Sequence, residues 1–474
     1  MICSLSLAWI LPFAFLLLVT AYPVLAQSQG VYEHYEVYDA DFFPPSEYAA
    51  RRKLALSKIE SGAGMLVRNG DVRNRSNDVD YEFRQRNNLL YLTGITETQS
   101  ALLLLPNGIE IEGKSVREIL FVAERNPSHE IWEGIRMGPK VAATITGIST
   151  VLSYEELPEI LDEVVPELDK LYYDNWLFGV ITEPIVGEEI DWPGMMLMMM
   201  AEDGIKIEVV QAGEILDGMR AIKSEAEIEM MKKAVEISAE GHREAMRYAR
   251  PGMAEYELEA LMEYTFHRLG AEEPGYPSIV GAGPNTCILH YNTNRRKSQD
   301  GDLVLMDCGA EYHGYSADIT RTFPVNGKFT PEQRAIYDLV LKAQNAAIKE
   351  CASGVQFFEP HRKAARIIAE GLVQLGIMEF GDDVRTYFMH GTSHFLGMDV
   401  HDVSDSYVLT PGMVLTVEPG IYIAEGSDCD PKWWNIGVRI EDDILVTEEG
   451  SINLSAGLEK TASEIEKLVG SKNK

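Results

Sequence analysis

Three apolar runs in the second half of the chain lead directly into a carboxylate. LVLM is followed by Asp307, VLTV by Glu418, and IGVRI by Glu441. Each run has the composition expected of a buried β-strand. A carboxylate at the end of a buried strand is costly unless something compensates its charge. We therefore expect the second half to form sheets that gather these acids at one site.

Two further residues extend this pattern. Asp318 follows Asp307 along the chain, and His394 lies in the histidine-rich stretch HGTSH. Taken singly, each acid fits a salt bridge or a helix cap. Taken together, the carboxylates would repel each other and take up protons unless cations were present. Carboxylates with one imidazole suit a pair of divalent ions, and favour Mn²⁺, Co²⁺ or Zn²⁺ over a thiolate-preferring metal.

Seven of the other histidines fall into three groups. His390 and His401 flank His394 and are predicted to be functional. His290 follows an apolar pair, where a lone histidine is typically a hydrogen-bonded buried residue. Four more lie on helical or turn-like stretches and are predicted to be solvated: His242, His267, His313 and His361. No serine lies in a GxSxG motif, so a serine hydrolase is not supported.

A chain of 474 residues is too long for one ordinary core, so two domains are expected. The first, over residues 41–215, alternates strand-like runs with helices, which predicts an α/β domain; NNLLYLTGI is interpreted as one of its strands. The second, over residues 220–470, opens with a capping box of Ser224 and Glu227 and a second helix from about Glu255 to Leu269. Two helix-pair-then-strands halves indicate an internal duplication.

Residues 1–26 differ from the rest of the chain. LSLAWILPFAFLLLV is followed by Val24 and Ala26 just before Gln27, a pattern typical of a signal peptide. The segment before the apolar run has no Lys or Arg, so an uncleaved membrane anchor is the alternative. Pro12 and the shortness of the run count against a full span. The expected location is therefore periplasmic or secreted, with no stable membrane span.

Charge and cysteine content exclude some classes of partner and scaffold. The net charge is −32, and no basic stripe is present that could release counterions from a nucleic acid. The 5 cysteines are widely spaced and form no CxxC motif, which excludes a disulfide scaffold and a zinc knot. Most are expected to be small buried residues, and one disulfide bridge stays open in an oxidising compartment.

Whole segments of the chain resemble the metallopeptidases of the pita-bread fold, and within them the aminopeptidase P family. The first half resembles the family's N-terminal domain through DYEFRQRNNLLYLTGITE. The second half follows the family in order and spacing through GAGPNTCILHYNTN, GDLVLMDCGAEYHGYSADITRTFPVNGKFT, FMHGTSHFLGMDVHDV, GMVLTVEPGIYI and IGVRIEDDILVTEEG. The resemblance implies an α/β (α+β) chain, with a creatinase/prolidase-type α/β domain before a duplicated α+β pita-bread catalytic domain.

The resemblance also implies an activity and a metal centre. The activity is removal of the N-terminal residue from peptides whose second residue is proline. The family's metal ligands fall on Asp307, Asp318, His394, Glu418 and Glu441. Asp307 would bind one metal, Asp318 and Glu441 would bridge both, and His394 would complete one site. The two ions, Mn²⁺ first with Zn²⁺ or Co²⁺ as alternatives, would hold a bridging hydroxide that attacks the first peptide bond.

Roles in proton transfer and substrate binding are implied in the same way. Glu418 would take the proton of the water and deliver it to the departing nitrogen. His401 would stabilise the oxyanion, and His290 would hold the substrate near the scissile bond. His390 and Arg439 would shape the proline pocket. Relatives bring N-terminal domains near neighbouring active sites, so a homo-oligomer, dimer or tetramer, is expected.

Three other functions stay open at this point. A prolidase, which cleaves Xaa-Pro dipeptides, shares the fold and the metal ligands, although NNLLYLTGI and VHDV fit aminopeptidase P better. A non-catalytic peptide-binding pita-bread protein would be expected to have lost ligands, and none is lost. A metal-dependent hydrolase of a non-peptide substrate is the third.

Overall fold

The computed structural model describes Tyr35 and residues 41–174, 192–202 and 204–473. Residues 1–26, the predicted signal peptide, lie outside the described residues. Within the described ranges, no helix combines the length and the apolar character needed to cross a membrane.

The first half of the chain is a mixed β-sheet with helices packed against it. Its strands are β1 (Ala63–Arg68), β2 (Asn74–Ser76), β3 (Val79–Asp80), β4 (Ser100–Ile111), β5 (Lys114–Val122), β6 (Val151–Ser153), β7 (Lys170–Tyr173) and β8 (Glu208–Gln211). Its helices are α1 (Pro45–Lys58), α2 (Asn87–Thr93), α3 (Pro127–Glu133), α4 (Gly138–Thr146), α5 (Leu157–Val164), α6 (Trp192–Glu202) and α7 (Gly213–Ala221). The 6-stranded sheet has the order β6-β5-β4-β1-β7-β8. Strand β1 is antiparallel to β4 and parallel to β7.

One predicted strand of this half is a helix. Residues Asn87–Thr93 form α2, which ends at Gly94 with a left-handed φ of 72°. Leu89 and Leu92 are fully buried in this helix. A continuous apolar run fits a short buried helix as well as a buried strand, and periodicity alone does not separate them. The prediction of a strand over NNLLYLTGI was wrong for this reason.

The second half contains several small sheets and two long helix pairs. Its helices are α8 (Glu225–Tyr248), α9 (Glu255–Arg268), α10 (Pro331–Ile348), α11 (Glu359–Gln374) and α12 (Ala462–Leu468). Its strands are β9 (Glu273–Pro274), β10 (Ile279–Ala282), β11 (Leu303–Asp307), β12 (Ala310–Tyr312), β13 (Tyr315–Ser316), β14 (Thr320–Pro324), β15 (Val414–Val417), β16 (Gly420–Ile423), β17 (Ile436–Arg439), β18 (Asp442–Thr447) and β19 (Gly450–Asn453). Helices α8 and α9 precede β9 to β14, and α10 and α11 precede β15 to β19, so the predicted helix-pair-then-strands order occurs twice.

The start of α8 shows how local sequence fixes these elements. The Ser224 side chain accepts a hydrogen bond from the Glu227 backbone N–H, and the Glu227 carboxylate accepts one from the Ser224 backbone N–H. These reciprocal bonds satisfy two donors at the helix start that would otherwise lack partners. The predicted capping box is confirmed, and α9 ends one residue before the predicted Leu269.

The cysteines that the structure describes are all free: Cys287, Cys308, Cys351 and Cys429. Cys308 and Cys351 are buried, as predicted for small apolar side chains, and the other two are partly exposed. Within the described residues, packing and hydrogen bonds hold the fold without a disulfide bridge.

Candidate active site

The ends of the strands bring the predicted ligands to one cavity. Asp307 is the last residue of β11 and lies opposite Thr320 of β14 in the sheet register. Glu418 directly follows β15, and Glu441 lies between β17 and β18. The cavity has a volume of about 520 Å³. Its lining includes every predicted site residue: His290, Asp307, Asp318, His390, His394, His401, Glu418, Arg439 and Glu441.

Three of the predicted ligands lie within reach of a single ion. One ligand atom from each of Asp318, His394 and Glu441 lies within 4.8 Å of the other two. The His394 Nε2 atom is 3.3 Å from Asp318 Oδ2 and 3.8 Å from Glu418 Oε1. The carboxylates and the imidazole therefore form one cluster.

The orientation of the His394 ring suits metal binding. Its Nδ1 atom lies 3.1 Å from the Phe395 carbonyl oxygen, which can only accept, so Nδ1 carries a proton and donates it. The other ring nitrogen, Nε2, therefore faces the acids. Metal-binding histidines are commonly oriented in this way, with the second ring nitrogen donating to a backbone carbonyl. Burial alone would lower the pKa of His394, but Asp318 and Glu418 outweigh it and raise the pKa to about 9.

The acids of the cluster hold protons at unusually high pH. Burial raises the pKa of Glu418 to about 8, and the charges of Asp318 and Asp307 add to this effect. Burial and neighbouring carboxylates raise the pKa of Asp318, and raise that of Glu441 well above its ordinary value. Divalent cations would reverse this effect, because their charge favours the ionised carboxylates. Buried carboxylate oxygens with one imidazole nitrogen are a donor set that fits such ions.

Asp307 differs from the other acids because it is paired with a cation. The Arg439 Nη2 atom donates to Asp307 Oδ2 at 2.5 Å. Burial alone would raise the pKa of Asp307, but Arg439 outweighs it and lowers the pKa below its ordinary value. The ion pair therefore keeps the Asp307 carboxylate ionised even without a metal.

A chain of hydrogen bonds runs from Arg439 to His390. Arg439 Nη1 donates to the Tyr422 hydroxyl at 3.0 Å, and that hydroxyl lies 2.8 Å from His390 Nε2. His390 Nδ1 lies 2.6 Å from the Gly391 carbonyl and donates to it, so Nε2 accepts from Tyr422. Burial, with Arg439 adding, lowers the pKa of His390 to about 3, so this ring is neutral. This series of hydrogen bonds gives one wall of the cavity a fixed geometry.

Three residues that the sequence did not single out make contacts at the site. The Tyr276 hydroxyl lies 2.7 Å from Asp307 Oδ1 and 2.6 Å from Asp318 Oδ1. It has one proton, so it donates to one of the two carboxylates at a time. Thr320 donates to Glu441 Oε2 at 2.6 Å. Tyr422 links Arg439 to His390 through the hydrogen bonds described above. A single sequence does not mark such hydroxyl residues as part of a site, because their role depends on contacts made only in the folded structure.

The remaining predicted site histidines lie at the cavity. The ring centroids of His401 and His394 are 4.2 Å apart, and the His401 side chain is exposed. His290 is also exposed. The alternative interpretation of His290, as a hydrogen-bonded buried residue, was therefore wrong.

Two histidines predicted to be solvated are buried. His242 of α8 is fully buried, and its Nε2 donates to the Cys308 carbonyl at 3.1 Å. His313 lies between Asp41 and Glu272, with ring nitrogens 3.0 Å and 2.9 Å from their carboxylates. The prediction was wrong because the position of a histidine in a helical or turn-like stretch does not reveal whether its side chain will pack against the rest of the protein. Of the other two, His361 is half-buried and His267 is exposed.

The metal-free protein should lose stability as the pH rises. Folded Glu418 has a pKa of about 8 against an ordinary 4.5, and folded His394 about 9 against 6.5, so the folded state retains protons that the unfolded state releases. The free energy of unfolding should therefore fall from about pH 5 to about pH 9. Thermal unfolding of chelator-treated protein measures this fall. The Glu418→Gln variant should show a shallower fall, and a melting temperature that rises with pH in the metal-free wild type would contradict the prediction.

Comparison with known proteins shows the family. The family described as metallopeptidase family M24 matches residues 229–448, and the aminopeptidase P N-terminal domain matches residues 48–172. The chain is 38% identical over 441 residues to the Xaa-Pro aminopeptidase of Escherichia coli (strain K12), covering 89% of this chain and 97% of that protein. It is 35% identical over 444 residues to Xaa-Pro aminopeptidase 3 of Homo sapiens, covering 89% and 85%.

Solved structures agree. The aminopeptidase PepP of Pseudomonas aeruginosa matches with a TM-score of 0.83 at 38% identity, covering 91% of this chain and 99% of that one. Aminopeptidase P of E. coli with the inhibitor Pro-Leu matches with a TM-score of 0.82 at 36% identity, covering 91% and 99%. The fold and the site define a metal-dependent peptidase with an α/β N-terminal domain and a pita-bread catalytic domain, which confirms the predicted fold class. The chain belongs to metallopeptidase family M24, in its aminopeptidase P branch.

Proposed function

We propose that the protein is an Xaa-Pro aminopeptidase, which removes the N-terminal residue of peptides whose second residue is proline. The observation that carries this proposal is the single cavity in which buried carboxylates and His394 lie beside His290, His390, His401 and Arg439. Relatives of similar length that bear the name Xaa-Pro aminopeptidase favour this activity over that of a prolidase.

We propose that two divalent ions are held by Asp307, Asp318, His394, Glu418 and Glu441. Mn²⁺ is the expected metal, and Zn²⁺ and Co²⁺ are the alternatives. When bound, such ions lower the pKa of a water and polarise the substrate carbonyl. Asp307 would bind one ion, and Asp318 and Glu441 would each contact both. His394 would use Nε2, which is free because Nδ1 donates to the Phe395 carbonyl.

Glu418 would move the proton of the reaction. Its carboxylate lies 3.8 Å from His394 Nε2 and 3.7 Å from His390 Nδ1, inside the cavity. It would accept a proton from the attacking water and deliver it to the departing nitrogen. That nitrogen belongs to a tertiary amide when proline follows, so it needs a proton before it can leave.

The histidines and Arg439 would bind the substrate. His401 is exposed next to His394 and would donate to the carbonyl oxygen that becomes negative when the peptide carbonyl is attacked. His290 would hold the peptide near the scissile bond. His390 and Arg439, fixed through Tyr422, would form the wall of the proline pocket.

We also propose that residues 41–215 and 220–470 are the two domains and that residues 1–26 are a signal peptide. Export to the periplasm or the exterior rests on the apolar run before Val24 and Ala26. We propose a homo-oligomer, a dimer or a tetramer, because the chain resembles aminopeptidase P.

Product analysis tests the activity. The protein should release free arginine from Arg-Pro-Pro-Gly-Phe in the presence of Mn²⁺, chelation should abolish the release, and added Mn²⁺ should restore it. The control peptide Arg-Ala-Pro-Gly-Phe should stay intact, because alanine replaces proline at the second position. Cleavage of the dipeptide Ala-Pro alone would identify a prolidase. If the protein holds two metals and cuts none of these peptides, the proline-specific assignment is wrong.

A further inference from the structure

We propose that a buried ion cluster of Arg220, Lys223 and Asp402 positions His401 for the reaction and ties its position to the docking of the first half of the chain. The inference rests on the proposed function, which gives His401 its role.

The loop that carries His401 folds back on itself. The Asp402 backbone N–H donates to the Phe395 carbonyl at 2.9 Å, which closes the loop between these two residues. This closure brings the His401 ring to within 4.2 Å of the His394 ring, centroid to centroid. Asp402 is the next residue after His401, so whatever fixes Asp402 also fixes the backbone from which the His401 ring projects.

Two cations fix the Asp402 side chain. Arg220 Nη2 donates to Asp402 Oδ1 at 2.5 Å, and Lys223 Nζ donates to Asp402 Oδ2 at 2.9 Å. The side chains of Asp402 and Lys223 are each 1% exposed, and that of Arg220 is 5% exposed. Gly397 packs directly over the carboxylate, since a Cβ atom there would lie 2.0 Å from Asp402 Oδ2. A movement of the loop that separated Asp402 from these cations would leave a buried charge without compensation. Because that is costly, the loop has one favoured position.

The cations come from a different part of the chain than the loop. Arg220 lies on α7, and Lys223 lies between α7 and α8. The same guanidinium also contacts α2, another helix of the first half, because Arg220 Nη1 donates to Asn88 Oδ1 at 3.0 Å. Asn88, on α2, in turn donates to Asp174 Oδ1 at 2.8 Å. One arginine therefore contacts both α2 and the loop that carries His401.

A double-mutant cycle on the full-length, metal-loaded enzyme separates positioning from mere stability. Asp402→Asn should lower kcat for Arg-Pro-Pro-Gly-Phe by about 10- to 100-fold, the effect expected when a reacting group is displaced by about 1 Å. KM and metal content should change little. In a His401→Ala background, Asp402→Asn should cause no further loss, because both changes then act through the same ring. The charge-balanced pair Asp402→Asn with Lys223→Met should restore stability without restoring kcat.

Two further variants keep the inference testable. Glu130→Gln weakens a partly buried ion pair with Arg125 in the first half and should leave kcat unchanged. Asn88→Ala removes the Arg220 link to α2, together with the Asn88 bond to Asp174, and leaves Asp402 with both cations. It should give a smaller loss of kcat that also disappears in the His401→Ala background, even if Asp402→Asn does not fold.

The outcomes that overturn the inference are distinct from those that overturn the function. An unchanged kcat in folded Asp402→Asn, or equal losses with and without His401, would show that the cluster only stabilises the fold. Full activity of His401→Ala would remove the role given to His401 in the proposed function, and this inference with it. Failure to cleave the peptide at all would reject the proposed function itself.

Discussion

Replacing Glu418 with glutamine should lower kcat for Arg-Pro-Pro-Gly-Phe by about 10²- to 10⁴-fold, the range that a positioned acid–base side chain contributes. Glutamine keeps an oxygen that can face a metal ion but cannot take up the proton of the attacking water. The change should appear in kcat more than in KM, because the proton moves only on the way to the transition state. Steady-state kinetics, with the metal content of the same preparation measured, tests this expectation.

The control for this variant is Glu311→Gln. Glu311 is also buried, but it pairs with Arg84 at 2.9 Å and does not line the cavity. Its variant should keep wild-type kcat. A Glu418→Gln enzyme that retains both metals and near wild-type kcat would exclude Glu418 as the proton carrier. If activity and metal are lost together, Glu418 acts chiefly as a ligand.

The sequence predicts Asp307, Glu418 and Glu441 because each one directly follows an apolar run. An apolar run that leads into an acid signals a buried strand whose end carries a charge, as at Asp307 and Glu418. Sheet formation then brings such ends together, although the residues are far apart along the chain. Periodicity alone gives neither the distances nor the partner of each acid.

The contacts that tune the site depend on tertiary structure. The hydroxyls of Tyr276 and Thr320 contact the carboxylates of Asp307, Asp318 and Glu441, although no sequence pattern singles these two residues out. The error over NNLLYLTGI has a related cause, because burial from all sides removes the periodicity that separates helix from strand. His242 was assigned to the surface because one polar residue in a helix does not reveal what will pack over it.

The cluster around Asp402 shows most clearly which contacts a single sequence does not predict. Arg220 and Asp402 are 182 residues apart, and a single sequence contains nothing that pairs them. Such an ion cluster costs desolvation energy, so its retention is better explained by the position it gives to a loop than by stability. The sequence therefore predicts which groups react, whereas the structure is needed to show what surrounds these groups.

The metal-free and the metal-bound protein should respond in opposite directions to Asp318→Asn. Asp318 is 5% exposed, and burial together with Asp307 raises its pKa, so an ionised Asp318 destabilises the metal-free fold. Asparagine removes that charge and should raise the melting temperature of the metal-free protein near neutral pH. It also removes a proposed bridging ligand. The stabilisation by Mn²⁺, about 4 kcal/mol at a thousandfold excess over Kd, should then largely disappear.

Calorimetric melting with and without Mn²⁺, and titration of metal into the metal-free protein, measure both effects. The control is Asp302→Asn, which breaks the ion pair with Arg296 at 2.5 Å in the same half of the chain. It should lower both melting temperatures equally and leave the metal-dependent shift intact, since Asp302 does not line the cavity. If Asp318→Asn behaves like Asp302→Asn, Asp318 is an ordinary structural carboxylate, and the metal centre must be built without it.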